Sequence, residues 1–299
     1  MQTAKRDAFG SYHPLINFIF FAAVIVSGMV FLHPVLLGIA FLAACCYAIY
    51  LRGIKAVKLI GFFILPLMLV AAVLNPLFNH QGLTVLGYIG TNPWTLEATI
   101  YGICSAFMFA TIILWFYCYN EVMTSDKFMY LFGRLIPGGS LIFSMVLRFI
   151  PKYRHQMKVI SNAQKCVGRD VSNGNFMSKM RYGTKMVGVL TTWGLENAVD
   201  TADSMKARGY GLPGRTNYSL FRFDRRDRLT ALIFILAIFL IILGAIKGQN
   251  TMVYYPLVQF AAPSPLGIVI YIAYGALCFV PVFINVKEDL VWKHLQSAM

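Results

Sequence analysis

One segment of the chain combines charge with an abrupt helix stop: Asp203-Ser204-Met205-Lys206-Ala207-Arg208-Gly209-Tyr210-Gly211. The pattern predicts a helix that ends at Arg208, because Gly209 can close a helix in the left-handed conformation and Pro213-Gly214 prevents its continuation. An arginine at a helix tip could enter a groove on a partner protein and form a bidentate pair with a carboxylate. The alternative is purely structural, since a C-terminal arginine favourably meets the helix dipole, by about 0.3–1 kcal/mol.

Three carboxylates lie on the same predicted helix as this tip. Glu196, Asp200 and Asp203 are spaced i, i+4 and i+7, which places them on one helix face. With Ala207 and Arg208, the two aspartates also resemble part of the Asp-x-x-Asp-Gly-x-x-Ala-Arg motif of CDP-alcohol phosphotransferases. The alternative function is therefore an intramembrane phosphotransferase-like enzyme in which Asp200 and Asp203 bind a metal ion.

The rest of the phosphotransferase motif is absent. Ser204 replaces its first glycine, and the later glycine and aspartate positions hold Asn217, Phe221 and Arg225. Two carboxylates do not complete the four-carboxylate metal site that this family uses. The enzyme is therefore the weaker of the two hypotheses.

Other catalytic and metal-binding patterns are missing from the sequence. It contains no Walker A motif, no Gly-x-Ser-x-Gly elbow and no His-Glu-x-x-His motif. Its six cysteines include no Cys-x-x-Cys pair, which argues against disulfides and a metal site. We therefore predict a chain that is not an enzyme and that uses no cofactor or metal ion.

The composition indicates that the elements around the Arg208 segment lie in a bilayer. The chain is 58% hydrophobic and 13% charged, whereas soluble domains have about 45–50% apolar and about 25% charged residues. A membrane-spanning helix needs about 20 apolar residues. Six runs qualify, and the first two are short and separated by His33-Pro34: Leu15–Phe31, Val35–Leu51, Leu59–Leu77, Ala98–Tyr119, Leu229–Ile246 and Leu266–Ile284. They hold almost no ionisable residues, which argues against an ion-coupled pump working alone.

The distribution of Lys and Arg orients these spans. Positive residues accumulate on the cytoplasmic side of membrane proteins, and the loop from Phe78 to Glu97 has none. Lys5 and Arg6 precede the first span, and Lys287 and Lys293 follow the last. We therefore predict a multi-pass protein of the bacterial inner membrane with both termini in the cytoplasm.

The segment from Asn120 to Arg228 differs in charge from the rest of the chain. It holds 18 of the 26 Lys and Arg residues and 8 of the 12 Asp and Glu residues. The predicted organisation is accordingly membrane spans at 1–120, cytoplasmic helices at 121–228, and two further spans and a tail at 229–299. The segment ends in a basic run, for which contact with anionic headgroups is favoured over nucleic-acid binding: Arg222, Arg225, Arg226 and Arg228.

Two amphipathic helices are predicted inside the cytoplasmic segment, at Lys152–Val167 and Thr191–Arg208. Two apolar pieces too short to span the membrane accompany them: Leu141–Ile150 precedes the first helix, and Met186–Leu195 overlaps the start of the second. Each would suit a short helix packed against the membrane spans or lying at the membrane interface. Pro137-Gly138-Gly139 is predicted to break any longer helix before the first piece.

The sequence resembles the transmembrane T component of energy-coupling factor transporters, the cobalt-permease-like family, over nearly its whole length. Met205-Lys206-Ala207-Arg208-Gly209-Tyr210-Gly211 looks like the second of two Ala-Arg-Gly signatures of that family, which places Ala207, Arg208 and Gly209 at a partner-binding tip. His13-Pro14, Asn75-Pro76 and Asn120-Glu121 add to the resemblance.

The first signature of the family falls at Ala163-Gln164-Lys165-Cys166-Val167-Gly168-Arg169-Asp170. Ala163, Gln164 and Gly168 fit the pattern, but Cys166-Val167 stand where Ala-Arg is expected. Arg169, one place past the glycine, or Lys165 would then have to replace the missing arginine.

The resemblance implies an all-α membrane protein of about six spans with a cytoplasmic coupling-helix domain. It also implies that each coupling helix contacts one of two ABC-type ATPase subunits, and that the membrane part holds a small substrate-binding S component. The implied activity is import of a vitamin or metal ion, with the substrate bound by the S component.

Overall fold

The computed structural model describes residues 7–89, 92–133, 137–168, 175–212, 221–259 and 264–297. Helices dominate, as predicted, and the described strands form one antiparallel two-stranded sheet, β1 (Val85–Ile89) with β2 (Asn92–Thr95). The chain divides into two compact units. The first, here the membrane unit, comprises Met1–Phe128 and Phe221–Met299, and the second, here the hairpin unit, comprises Met129–Leu220.

Among the described residues of the membrane unit, five helices are long and apolar enough to cross a bilayer, and one apolar helix is shorter. The shorter helix is the first of the unit, at 17 residues. The five qualifying helices correspond to the second to sixth predicted spans, with Ile54–Phe78 counted as one continuous helix, and the last extends 13 residues beyond the predicted end at Ile284. The helices of this unit are α1 (Pro14–Val30), α2 (Pro34–Arg52), α3 (Ile54–Leu59), α4 (Leu65–Phe78), α5 (Leu96–Val122), α9 (Arg225–Ile246) and α10 (Pro265–Ser297).

Prolines set the boundaries and bends of these helices. Pro14 and Pro34 occupy the first turns of α1 and α2, where the missing N–H costs nothing, and the predicted break at His33-Pro34 is confirmed. A π-helical turn, Ile60–Ile64, joins α3 to α4 just before Pro66. Proline cannot donate to the carbonyl four residues earlier, and a local change of helical pitch accommodates that loss.

Aromatic packing forms the core of the membrane unit. α5 lies at the centre and packs against α1, α2 and α4. Phe20 and Trp115 are fully buried, and their rings meet edge to face with centroids 5.5 Å apart. A short 3-10 helix, Phe9–Ser11, seats Phe9 against the same cluster, with its ring 5.2 Å from that of Phe20.

The hairpin unit contains two helices that are longer than the sequence predicts. α6 (Ser125–Gly133) leads into it, and α7 (Pro137–Cys166) and α8 (Phe176–Ala207) run for 30 and 32 residues.

The prediction of separate short apolar helices was wrong. Leu141–Ile150 and Met186–Leu195 are continuous with the helices that follow them. Pro137 begins α7 rather than breaking it, because proline is tolerated in a first turn. Pro151 lies within α7, where it cannot donate a hydrogen bond to the carbonyl of residue 147.

Candidate functional site

The C-terminus of α8 is closed by backbone hydrogen bonds around Gly209. Gly209 has φ of +78°, its N–H donates to the carbonyl of Lys206 at 2.9 Å, and the N–H of Tyr210 donates to the carbonyl of Met205 at 3.0 Å. This pair of bonds is the Schellman arrangement, in which a left-handed residue follows the last helical ones. Arg208 is therefore the residue at the helix cap, and the predicted stop at Gly209 is confirmed.

The C-terminus of α7 closes in a matching way. Gly168 has φ of +74°, and its N–H donates to the carbonyl of Lys165 at 3.0 Å. Counting back from the two glycines, Cys166 corresponds to Ala207 and Val167 corresponds to Arg208. The predicted stop at Gly168 is confirmed, whereas Arg169 lies outside the described residues.

The side chains at both tips face solvent. Ala207 and Arg208 are exposed and Gly209 is half-buried at the end of α8. In α7, Ala163 and Gly168 are exposed and Gln164 is half-buried. Val167, the counterpart of Arg208, has 69% of its surface exposed, so an apolar side chain caps the first tip and a guanidinium caps the second.

The two helices cross at their midpoints. The ring of Tyr153 meets that of Trp193 edge to face, with centroids 5.5 Å apart. One turn further, the Nζ atom of Lys152 donates to the Oδ1 atom of Asn197 at 2.9 Å and lies 5.4 Å from the Trp193 ring centroid. We call this set of contacts, which also includes Gly194, the helix crossing.

Each helix has the same length between the helix crossing and the glycine that ends it, and we call these two stretches the arms. Tyr153 and Gly194 each precede the glycine that ends their helix, Gly168 or Gly209, by 15 residues, which is about 22 Å of α-helix. Residues of the first half of α7 face residues of the last part of α8 across a cleft, so the helices are antiparallel. The two glycine-ended tips therefore lie on opposite sides of the crossing.

The cleft lies beside Arg208 and has a volume of about 860 Å³. Arg148 and Lys152 line it from α7, and Asp200 and Arg208 line it from α8. The sequence reasoning did not single out Arg148, although the i, i+4 spacing of Arg148 and Lys152 could have indicated a shared basic face.

The acidic residues of α8 do not form a metal site with other described residues. Glu196, Asp200 and Asp203 are exposed, and the carboxylate of Asp203 lies 3.9 Å from the Nζ atom of Lys206. Among the described ranges, no group of three or more His, Cys, Asp or Glu side chains is placed to hold a metal ion. Asn217, one position of the phosphotransferase motif, lies outside those ranges.

Comparisons with known proteins identify relatives of the chain. No family model matches it. A 112-residue stretch is 37% identical to an uncharacterized protein of Mycoplasma pneumoniae, covering 36% of this chain and 26% of that protein. This chain thus matches only about a quarter of that relative's length.

Two further relatives match over most of their length, and both are named energy-coupling factor transporter transmembrane protein EcfT. The one from Lacticaseibacillus paracasei is 30% identical over 227 residues, which is 65% of this chain and 83% of the relative. The one from Streptococcus equi is 30% identical over 238 residues, which is 74% of this chain and 84% of the relative. With its apolar spans and helical fold, the chain belongs to the family of energy-coupling factor transporter transmembrane proteins.

Proposed function

We propose that the chain is the coupling subunit of an ATP-driven importer of a vitamin or metal ion. In this proposal it links two ABC-type ATPase subunits to a small membrane S component that binds the substrate. It lies in the bacterial cell membrane with both termini in the cytoplasm and performs no catalysis itself. Family membership supports the transporter role.

The observation that carries the coupling role is the geometry of α7 and α8. Two long helices contact each other near their midpoints and end in glycine-closed tips at equal distances from that contact. The two helices are continuous over 30 and 32 residues, so no loop lies between either tip and the crossing to absorb a displacement. Such an arrangement suits a subunit that receives motion from two separate partners.

Arg208 supplies the recognition chemistry at the second tip. Its guanidinium can form a bidentate pair with a carboxylate in a groove of the ATPase. Ala207 is small enough to let the tip enter that groove, and Gly209 closes the helix. At the first tip, Ala163, Gln164, Gly168 and Arg169 are assigned to the other ATPase.

Reversal of the charge at Arg208 tests this function. In Arg208→Glu, a carboxylate would meet the partner's carboxylate, and losses at such buried pairs reach about 2–5 kcal/mol. We expect co-purification of the co-expressed ATPase subunits and substrate uptake to fall at least about tenfold, with membrane insertion unchanged. Arg154→Glu, at an exposed position in the middle of α7, is the control. Unchanged co-purification and uptake in Arg208→Glu would refute the coupling role of this residue.

A further inference from the structure

The cleft beside Arg208 combines positive charge with an apolar lining. Three cationic side chains, Arg148, Lys152 and Arg208, and a single carboxylate, Asp200, line the described part of the cleft. Leu141, Met145, Phe149, Met205 and Leu212 add apolar surface to it.

The charges of the described lining do not cancel. Three cations against one carboxylate give it a net charge of +2, and a cleft lined by one sign of charge attracts groups of the opposite sign. The apolar side chains favour an anionic occupant that also buries apolar surface.

We propose that the ATPase subunit that binds Arg208 also inserts an acidic, partly apolar segment into this cleft, where Arg148 and Lys152 bind its carboxylates. This inference rests on the proposed function and extends the contact from the tip of α8 to the first half of α7. The ATPase would then hold both helices on the same side of the helix crossing.

The charges favour a protein segment over an anionic phospholipid as the occupant. A lipid phosphate presents acceptors alone, and Asp200 in the same cleft would repel it. A peptide segment offers carboxylates to the three cations and backbone N–H groups to Asp200. Arg208 is shared by the cleft and the proposed coupling tip, so whatever fills the cleft also touches the partner bound there.

The chain offers a matched pair of variants for the test. Arg148→Glu/Lys152→Glu reverses two charges that line the cleft, and Arg154→Glu/Lys158→Glu reverses an Arg–Lys pair of the same spacing, exposed on the same helix and outside the cleft lining. Because Lys152 also contacts Asn197 and Trp193, Arg148→Glu alone serves as a second variant.

Binding is measured by titrating the purified ATPase pair of the same genome against the full chain in nanodiscs. The discs are made either of phosphatidylcholine alone or with phosphatidylglycerol added, and Arg208→Glu is measured in parallel. We expect the cleft double variant to weaken binding at least about tenfold in both lipids, Arg148→Glu to weaken it at least about threefold, and the control pair to change it less than about twofold.

The outcomes separate this inference from the proposed function. If Arg208→Glu weakens binding but the cleft variants behave like the control pair, the inference is wrong and the proposed function stands. If neither Arg208→Glu nor the cleft variants weaken binding, both this inference and the proposed function are wrong. If the cleft variants matter only in discs that contain phosphatidylglycerol, the cleft is a lipid site and the inference is overturned.

Discussion

The hydroxyl oxygen of Tyr153 lies 2.5 Å from the position that a Cβ atom would take at residue 194. Glycine at that position is therefore what allows α7 and α8 to approach closely at their crossing. Gly194 is buried, and the neighbouring Trp193 packs edge-on against the same tyrosine ring. The contact therefore sets how closely the two helices approach at the helix crossing.

Gly194→Ala should therefore disturb the helix crossing. The added methyl group would force Tyr153 or the helices apart, and overpacking of this kind costs about 1–3 kcal/mol. We expect a lower melting temperature. We also expect substrate uptake to fall more than ATP hydrolysis in the reconstituted transporter, because the angle between α7 and α8 would differ from that in the wild type. Tyr153→Phe in the same chain removes the nearest atom and should recover part of both losses.

Gly188→Ala is the matched control, because no atom lies within 4 Å of the position of its Cβ. There the gain in helix propensity, up to about 1 kcal/mol, should leave the chain as stable as the wild type or more so. Equal behaviour of the Gly194 and Gly188 variants would show that the crossing does not need a glycine.

The membrane spans and the helix ends could be predicted from the sequence. Apolar length identified the spans, and Pro34 located the break between the first two. Gly168 and Gly209 marked the ends of α7 and α8, because a residue with positive φ is most easily glycine. Each of these signals is local and lies within a few residues of the feature that it predicts.

The helix crossing and the cleft could not be predicted, because they depend on contacts distant in sequence. Nothing near Gly194 indicates that Tyr153 lies against it, and Arg148 and Arg208 share a cleft only because α7 and α8 are antiparallel. The separate helices expected at Leu141–Ile150 and Lys152–Val167 were wrong for a related reason. Proline disfavours a helix interior locally, and whether a helix continues through it depends on packing that a local pattern does not show.

Val167 occupies the place in the first tip that Arg208 occupies in the second, and Val167→Arg should therefore strengthen that tip. If the partner ATPase carries a carboxylate groove like the one assigned to Arg208, the new guanidinium would add a charge-assisted hydrogen bond there. We expect the affinity for the ATPase pair to rise by up to about tenfold. Titration of the purified subunits measures this.

Val159→Arg is the control for that gain, since Val159 is also exposed but lies about two turns before the tip. An equal gain from both variants would indicate a non-specific effect of positive charge. No gain from Val167→Arg, with binding still sensitive to Arg208, would show that the two tips are recognised differently.

Asn285 holds the N-terminal segment against the membrane unit. It is fully buried, its Oδ1 atom accepts from the N–H of Ala8 at 2.7 Å and of Phe9 at 3.4 Å, and its Nδ2 atom donates to the carboxylate of Asp7 at 2.8 Å. Asn285→Leu would leave these groups without their partner, and each unsatisfied buried group costs about 1–3 kcal/mol.

We therefore expect Asn285→Leu to lower the melting temperature of the detergent-solubilised chain markedly. Lys287→Leu, at an exposed position on the same helix, should leave it nearly unchanged. Similar melting of the Asn285 variant and the wild type would mean that the segment is held by its other contacts, such as the packing of Phe9 and the hydrogen bond from Tyr47 to Asp7.

His13 makes the stability of the membrane unit depend on pH. Its Nδ1 atom accepts a hydrogen bond from the N–H of Leu15 at 3.2 Å at the start of α1, and its ring packs edge-on against Phe223 at 5.2 Å. Burial lowers the pKa of His13 below its ordinary value of 6.5, and the nearby carboxylate of Asp227 opposes that shift in part.

The direction of this pH dependence is set by whether the folded or the unfolded chain binds the proton first as the pH falls. Well above pH 6.5 the imidazole is neutral in both states, and its contribution to stability is fully present. As the pH falls through 6.5, the unfolded state takes up the proton before the folded state does, so the free energy of unfolding decreases until the pH passes the lowered pKa. Protonation of Nδ1 also removes the acceptor that caps α1.

His13→Asn should reduce this pH dependence while keeping the cap, because asparagine is a favourable N-cap residue that does not titrate. Melting temperatures measured from about pH 7.5 to about pH 5 should fall less steeply in the variant than in the wild type. His294→Asn, at an exposed position near the end of α10, should retain the wild-type slope. If His13→Asn retains it too, the half-buried imidazole at the start of α1 is not the group that couples folding to pH.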